Sequence, residues 1–267
     1  MGAKIHRTAQ VHSGAELGDE VIIGEYAVIE NGVRLDDCVE VGSHAIVAGT
    51  TSVGEGTRIF HCAAIGLEPQ DLKYRGEHTK TTIGSGNTIR EFVTIHSGTA
   101  DGESVTKIGE NNMLMAYVHV AHDCSLGNNL IIANAANMGG HTVIDDGAII
   151  GGLTAIHQFV HIGFGAMVGA ASLVLQDVLP YALVSGNPAS VHDVNRIGMR
   201  RKNIPRKSID ATHKAITILT RMGLQLRKAV SKIKNEVPIT SEVERILLFI
   251  ENRSARGIMR GDNRSIK

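Results

Sequence analysis

An aliphatic residue returns at every sixth position between residues 108 and 174 without a miss: Ile108, Leu114, Val120, Leu126, Ile132, Met138, Ile144, Ile150, Ile156, Ile162, Val168 and Val174. Neither an α-helix nor an ordinary strand has that period. Gly stands directly after many of these aliphatics, at Gly109, Gly127, Gly151, Gly163 and Gly169. The pattern predicts a parallel β-helix in which each hexad is one short strand plus one tight turn. An earlier run keeps the same spacing from Ile5 to Ile65, and as far as Ile59 a small or β-branched residue follows each aliphatic by four places, from Ala9 and Ala15 to Thr57 and Ala63. Two interior-compatible positions per hexad suit a flat, three-sided coil. Three hexads, or 18 residues, then make one coil, and positions 18 apart stack on successive rungs roughly 4.8 Å apart.

The ladder breaks twice. The polar segment LEPQDLKYRGEHTKT follows Gly66 and SGTADGESVTK precedes Ile108, so loops are expected to leave the coil over 67–82 and 97–107. Runs of 11, 3 and 12 hexads give 26, a little under nine coils and a prism roughly 40 Å long. The period stops at Val174, and Pro180 and Pro188 mark the exit. From about Ser208 the apolar spacing turns helical through Ile209, Ile216, Leu219, Met222, Leu226, Val230 and Ile233, and Pro238 ends that run. A further helix is expected from Ser241 to near Gly257. The expected organisation is a β-helix over 1–187 and an α-helical domain over 188–267, whose helices cap the open edge of the last coil.

Composition fits a narrow interior: 30 Gly, no Trp and 3% aromatics among 267 residues. The zero net charge conceals an asymmetry. Residues 1–194 carry 9 Lys+Arg against 21 Asp+Glu, and residues 195–267 carry 18 against 6, so the halves stand at about −12 and +12. A basic end on an acidic prism suits an anionic partner, and equally suits a solvated helical surface. No apolar run reaches bilayer length and MGAKIHRT lacks a secretory stretch, so a cytoplasmic protein without a transmembrane segment is expected. Cys38, Cys62 and Cys124 read as reduced structural thiols.

Stacking arithmetic places His122, Gly140 and Gln158 in one column, with Asp123 and His141 in the next. An imidazole can take a proton from a hydroxyl, and a glycine N–H that a substrate can approach closely can receive an oxyanion. Asp123 can orient His122 only at a corner, because neighbours along a strand point to opposite faces. The same histidines allow a rival reading as zinc ligands. His119 and His122 are three apart and His157 and His161 four apart, but neither spacing is a metal signature on a β-helix, and convergence needs a second subunit, as in a trimeric β-helix carbonic anhydrase. His6, His12, His44, His61, His78, His96, His192 and His213 read as surface or turn residues. Asp71 and Lys73 in the loop Gln70–Tyr74 suit a sugar hydroxyl and a phosphate, and NRIGMRRK, 195–202, suits a diphosphate or an acidic surface. No P-loop, GxGxxG, G-x-S-x-G or aromatic-laced basic stripe occurs, which argues against nucleotide hydrolysis, serine hydrolysis and nucleic acid.

IGLEPQDLKYRGE, TKIGENNMLMAYVHVAHDC, IIGGLTAIHQF and LVSGNPASVHDVNRIGMRRK, in this order, closely resemble the UDP-N-acetylglucosamine O-acyltransferase family of lipid A biosynthesis, over essentially the whole chain. The resemblance implies a left-handed coil, against the usual right-handed crossover, and a homotrimer with active sites between subunits. It also implies no metal and no cofactor, the 3-hydroxyacyl group arriving on phosphopantetheinyl acyl carrier protein. His122 matches the general base, Asp123 its partner and Gly140 the oxyanion position. Gln70, Asp71, Lys73, His119, His141, His157 and Gln158 match substrate- or acyl-binding residues, Asn195 and Arg201 the nucleotide end, and Ala170 the position tied to acyl-chain length. Pro188 and Ile197 depart from the pattern at the uracil end. The alternatives are an acyltransferase of the same repeat class acting on a 3-amino sugar nucleotide and the zinc carbonic anhydrase.

Overall fold

A computed structural model describes residues 2–261; Met1 and residues 262–267, part of the expected end domains, lie outside the described residues. Each hexad forms a strand of two to four residues, and every third strand pairs in parallel with its predecessor. Three parallel sheets result. Face A starts at Lys4–Ile5, face B at Gln10–Val11 and face C at Glu16–Leu17. Register steps by 18 where the repeat is unbroken, so that His119 pairs with Asn137, Asn137 with Ala155 and Ala155 with Leu173.

Within a face, residues alternate in, out and in. Ala27 and Ile29 are buried on either side of the outward Val28, and Ala136 and Met138 flank Asn137. Stacked aliphatics fill the coil. The corners solve a backbone problem, since one residue at each must turn sharply. That residue takes a positive φ even when it is not glycine, as in His44 (59°), Tyr117 (63°), Asp123 (57°), His141 (59°) and Phe159 (65°). The left-handed region costs a side-chain-bearing residue about 1–2 kcal/mol, and at each corner its N–H is returned to the rung below. His141 N donates to the His122 carbonyl (3.0 Å), and Phe159 N to the Gly140 carbonyl (3.0 Å).

Strands encroach on both expected loops. Leu67 ends one strand on face B, and Lys80–Ile83 and Val105–Ile108 are four-residue strands paired in register, which leaves residues 68–79 and 97–104 outside the ladder. Lys-Thr-Thr and Val-Thr-Lys look like loop sequence. Their central threonines, Thr81 and Thr106, instead take inward positions and are almost fully buried.

At the far end, residues 189–194 lie past the expected boundary yet belong to face A. Ala182–Gly186 pairs in parallel with Met167–Val168, and Ala189–Val194 turns back antiparallel against it. Helices follow: α1 (Arg196–Arg201), α2 (Arg206–Arg221), α3 (Leu226–Glu236) and α4 (Ser241–Glu251). The single run expected from Ser208 to Ile233 is split at Gly223, whose φ of +64° ends the helical path. Ile209, Ile216 and Leu219 of α2 enter the core beside Ile246 and Ile250 of α4. The chain then returns to the coil. The buried Asp177 carboxylate accepts from Ser254 N (2.7 Å), Ser254 Oγ (2.7 Å) and His161 N (2.9 Å), tying the last coil to the segment after α4. Among the described residues no helix is long and apolar enough to cross a membrane.

Candidate active site

A groove of about 510 Å³ runs along face B and its corner with face C, lined by Gln70, His96, His119, His122, Gly140, His157 and Gln158, among others. The column anticipated from spacing is present. His122, Gly140 and Gln158 occupy successive rungs of the B–C corner, and a Cβ built on Gly140 would lie 2.5 Å from His122 Cε1. The imidazole therefore rests on a bare backbone. His122 Nδ1 is 2.9 Å from Asp123 Oδ2, and the Asp123 side chain is only 2% exposed. The corner makes this pair possible, because the positive φ of Asp123 turns its side chain back toward its neighbour.

Asp123 is an acceptor on every side. Thr99 N donates to both carboxylate oxygens (3.1 Å each), and Thr99 Oγ1 donates to Oδ2 (2.6 Å). A carboxylate oxygen at this distance accepts, so in the neutral imidazole the proton sits on Nδ1 and the lone pair on Nε2. Among the described residues Nε2 has no hydrogen-bond partner. The Gly140 N–H is likewise open. At the C–A corner the same kind of amide is taken by an Asn or Asp one rung above: Glu110 N by Asn128 Oδ1, and Asn128 N by Asp146 Oδ1, both at 2.7 Å. Gln158 stands above Gly140 and makes no such bond among the described residues, so the N–H remains available to a ligand oxygen.

The other histidines fall into two kinds. His119 Nδ1 lies 2.7 Å from Thr94 Oγ1, and burial, helped by the nearby His96 and His122, lowers its pKa to about 4. Burial also lowers His96, whose Nδ1 donates to the Glu68 carbonyl at 2.6 Å. These rings are neutral at pH 7. His141 stacks on Phe159 with centroids 4.4 Å apart and stands edge-on to His122; burial lowers its pKa against the pull of Asp123. His157 Nδ1 donates to the Gln158 carbonyl (3.1 Å).

His96, read from sequence as a surface or turn residue, is 7% exposed and lines the groove. Counting by 18 could not place it, because Thr94 pairs with His119, 25 positions away, the excess being the ejected loop. Thr99 lay hidden in the same way.

Asp71 and Lys73 do not line the groove. They bound a niche of about 40 Å³ with Thr99 and Asp101, where Lys73 Nζ pairs with Asp101 Oδ2 at 3.1 Å. Asn195 caps α1, its Oδ1 accepting from Gly198 N (3.0 Å) and its Nδ2 donating to the Gly165 carbonyl (3.0 Å). Arg201 is exposed in the last turn of that helix. Ala170 sits above Gly152 on the A–B corner, away from the histidine column. Potential metal ligands also meet: atoms of His122, Asp123 and His141 lie within 4.8 Å of one another. The contact between the first two is 2.9 Å, a hydrogen-bond length and shorter than the roughly 3.4 Å between ligands on tetrahedral zinc.

Comparison with known proteins gives a consistent picture. Residues 177–259 match the family model described as UDP N-acetylglucosamine O-acyltransferase, domain 2, and residues 106–140 match the bacterial transferase hexapeptide model. The acyl-[acyl-carrier-protein]–UDP-N-acetylglucosamine O-acyltransferase of Thermodesulfovibrio yellowstonii is 44% identical over 257 residues, covering 96% of this chain and 99% of that protein. The Sulfurovum enzyme of the same name is 48% identical, covering 95% and 96%. Among solved structures, the UDP-N-acetylglucosamine acyltransferase of Campylobacter jejuni superposes with a TM-score of 0.90 at 39% identity, over 96% of this chain and 99% of that one.

Proposed function

The chain belongs to the acyl-[acyl-carrier-protein]–UDP-N-acetylglucosamine O-acyltransferase family, and from that premise we propose that it transfers a 3-hydroxyacyl group from acyl carrier protein to the 3-hydroxyl of UDP-N-acetylglucosamine, with His122 as general base. It is an acyltransferase of the first step of lipid A biosynthesis. The observation that carries the mechanism is the open Nε2 of His122, held by the Nδ1 bond to Asp123 and set against the open N–H of Gly140.

In this mechanism Nε2 takes the proton from the sugar 3-hydroxyl as its oxygen attacks the thioester carbonyl. The tetrahedral oxyanion receives the Gly140 N–H, and Asp123 stabilises the imidazolium. Collapse expels the phosphopantetheine thiolate, and His122 returns the proton to sulfur. No metal or other cofactor is needed for these steps. Neutral His119 and His96 line the groove without placing a second positive charge beside His122. His157, His141 and Gln158 contact the sugar or acyl chain. Gln70 and Asp71 approach the acceptor sugar, the Asp71 carboxylate accepting from a hydroxyl, and Lys73 suits a phosphate, while Asn195 and Arg201 serve the nucleotide end.

The winding is left-handed and the assembly a homotrimer with grooves between subunits. Supporting a self-association surface, the A–B corner carries the stacked pairs Tyr26/His44 and Phe92/Tyr117 and the 71%-exposed Leu153. On the same corner, Ala170 of one copy would limit acyl length in a groove shared with another. The basic helices face the acidic carrier protein, and the reaction is cytoplasmic. The experiment incubates the chain with UDP-N-acetylglucosamine, its 3-amino analogue and a panel of 3-hydroxyacyl carrier proteins, and reads products by mass spectrometry. An acylated amine with no ester product would transfer the chain to the 3-amino branch.

A further inference from the structure

The carboxylate that orients His122 is itself held by a segment that has left the ladder. Thr99 lies in the ejected loop 97–104, is 3% exposed, and supplies Asp123 with its amide and its hydroxyl. The loop is shaped around this contact. Gly102 N and Ser104 N both donate to the Thr99 carbonyl (3.1 Å each), closing a tight turn, and a Cβ on Gly102 would lie 2.3 Å from Asp123 Oδ1. A buried carboxylate stays ionised only if donors surround it. Besides His122, the side-chain and backbone donors to this one come from Thr99 among the described residues.

We propose that Thr99 is a positioning residue for acyl transfer: its hydroxyl and amide hold the Asp123 carboxylate in one orientation, which keeps the His122 proton on Nδ1 and the lone pair on Nε2 toward the groove. The proposal rests on the reading of His122 as base. The ejected loop thereby becomes part of the catalytic apparatus, although Thr99 does not line the groove.

The test uses the full chain with UDP-N-acetylglucosamine and 3-hydroxyacyl carrier protein. Thr99→Val keeps the shape and the amide but removes the hydroxyl. It should lower kcat roughly ten- to hundredfold, the fold-change that one charge-assisted hydrogen bond represents, with KM for the sugar nucleotide changed by less than about threefold. Thr99→Ser restores the donor and should recover most of kcat. Gly102→Ala, which pushes on the carboxylate from the other side, should reproduce the loss. In ¹⁵N-histidine spectra both damaging variants should erode the Nδ1–H signature of His122, a change that loosening elsewhere in the coil would not produce. Parent kcat in Thr99→Val, equal losses in Thr99→Val and Thr99→Ser, or an unaltered His122 signature overturns the proposal. Full turnover in His122→Ala defeats the base assignment instead, and the ¹⁵N comparison then decides Thr99 by itself.

Discussion

The His122 imidazole rests on the bare Cα of Gly140 one rung above it, with Cε1 only 2.5 Å from where a Gly140 Cβ would stand. Gly140 has no positive φ, so alanine suits its backbone, and the nearest atoms its Cβ would meet all belong to the His122 ring. Gly140→Ala should therefore displace His122 and reduce kcat by about tenfold or more, while the melting temperature stays close to the parent. A circular-dichroism melt beside steady-state kinetics checks both halves.

Removal of the base itself should be more severe. His122→Ala is expected to lower kcat by roughly 10²–10⁴-fold and leave the coil intact, because the side chain faces the groove and not the stacked interior. Turnover near the parent level would take His122 out of its role.

The depressed His119 makes stability pH-dependent. Its folded pKa is about 4, below the unfolded value of 6.5, so the unfolded chain binds a proton that the folded chain refuses. The contribution is fully present above pH 6.5 and is lost as pH falls from there toward 4; His96, also lowered by burial, adds in the same direction. Melting temperatures across that window should fall more steeply for the parent than for His119→Gln.

The thiols should separate by reactivity. Burial raises the Cys124 pKa to about 12, and its Sγ is bonded to the Gly139 carbonyl (3.4 Å), whereas Cys38 is exposed. With iodoacetamide at pH 8, mass spectrometry should find Cys38 alkylated first and Cys124 only after unfolding.

Zinc offers a separate check on the rival reading. Protein treated with chelator should keep its acyl-transfer rate, since the steps use the Asp123 carboxylate as a hydrogen-bond acceptor. A rate that collapses and returns on adding zinc would make His122, Asp123 and His141 ligands.

Much of this molecule was determined by the sequence alone. A coil with one inward aliphatic every six residues has no room to hide its period, because steric filling of the interior is local and repeats rung by rung. The same regularity placed His122 beneath Gly140, since nothing is inserted between residues 108 and 174. Where the chain leaves the ladder, counting fails. Thr94 meets His119 across 25 residues, so His96 and Thr99 reach the site through a loop whose length fixes no position. The closing hairpin at 182–194 and the division of the helical run at Gly223 escaped the count for local reasons: the first turns back antiparallel outside the six-residue period, and a positive φ ends the helical path at the second. Tertiary structure alone brought donors to a buried carboxylate from 24 positions away, because a hydrogen bond depends on distance in space and not along the chain.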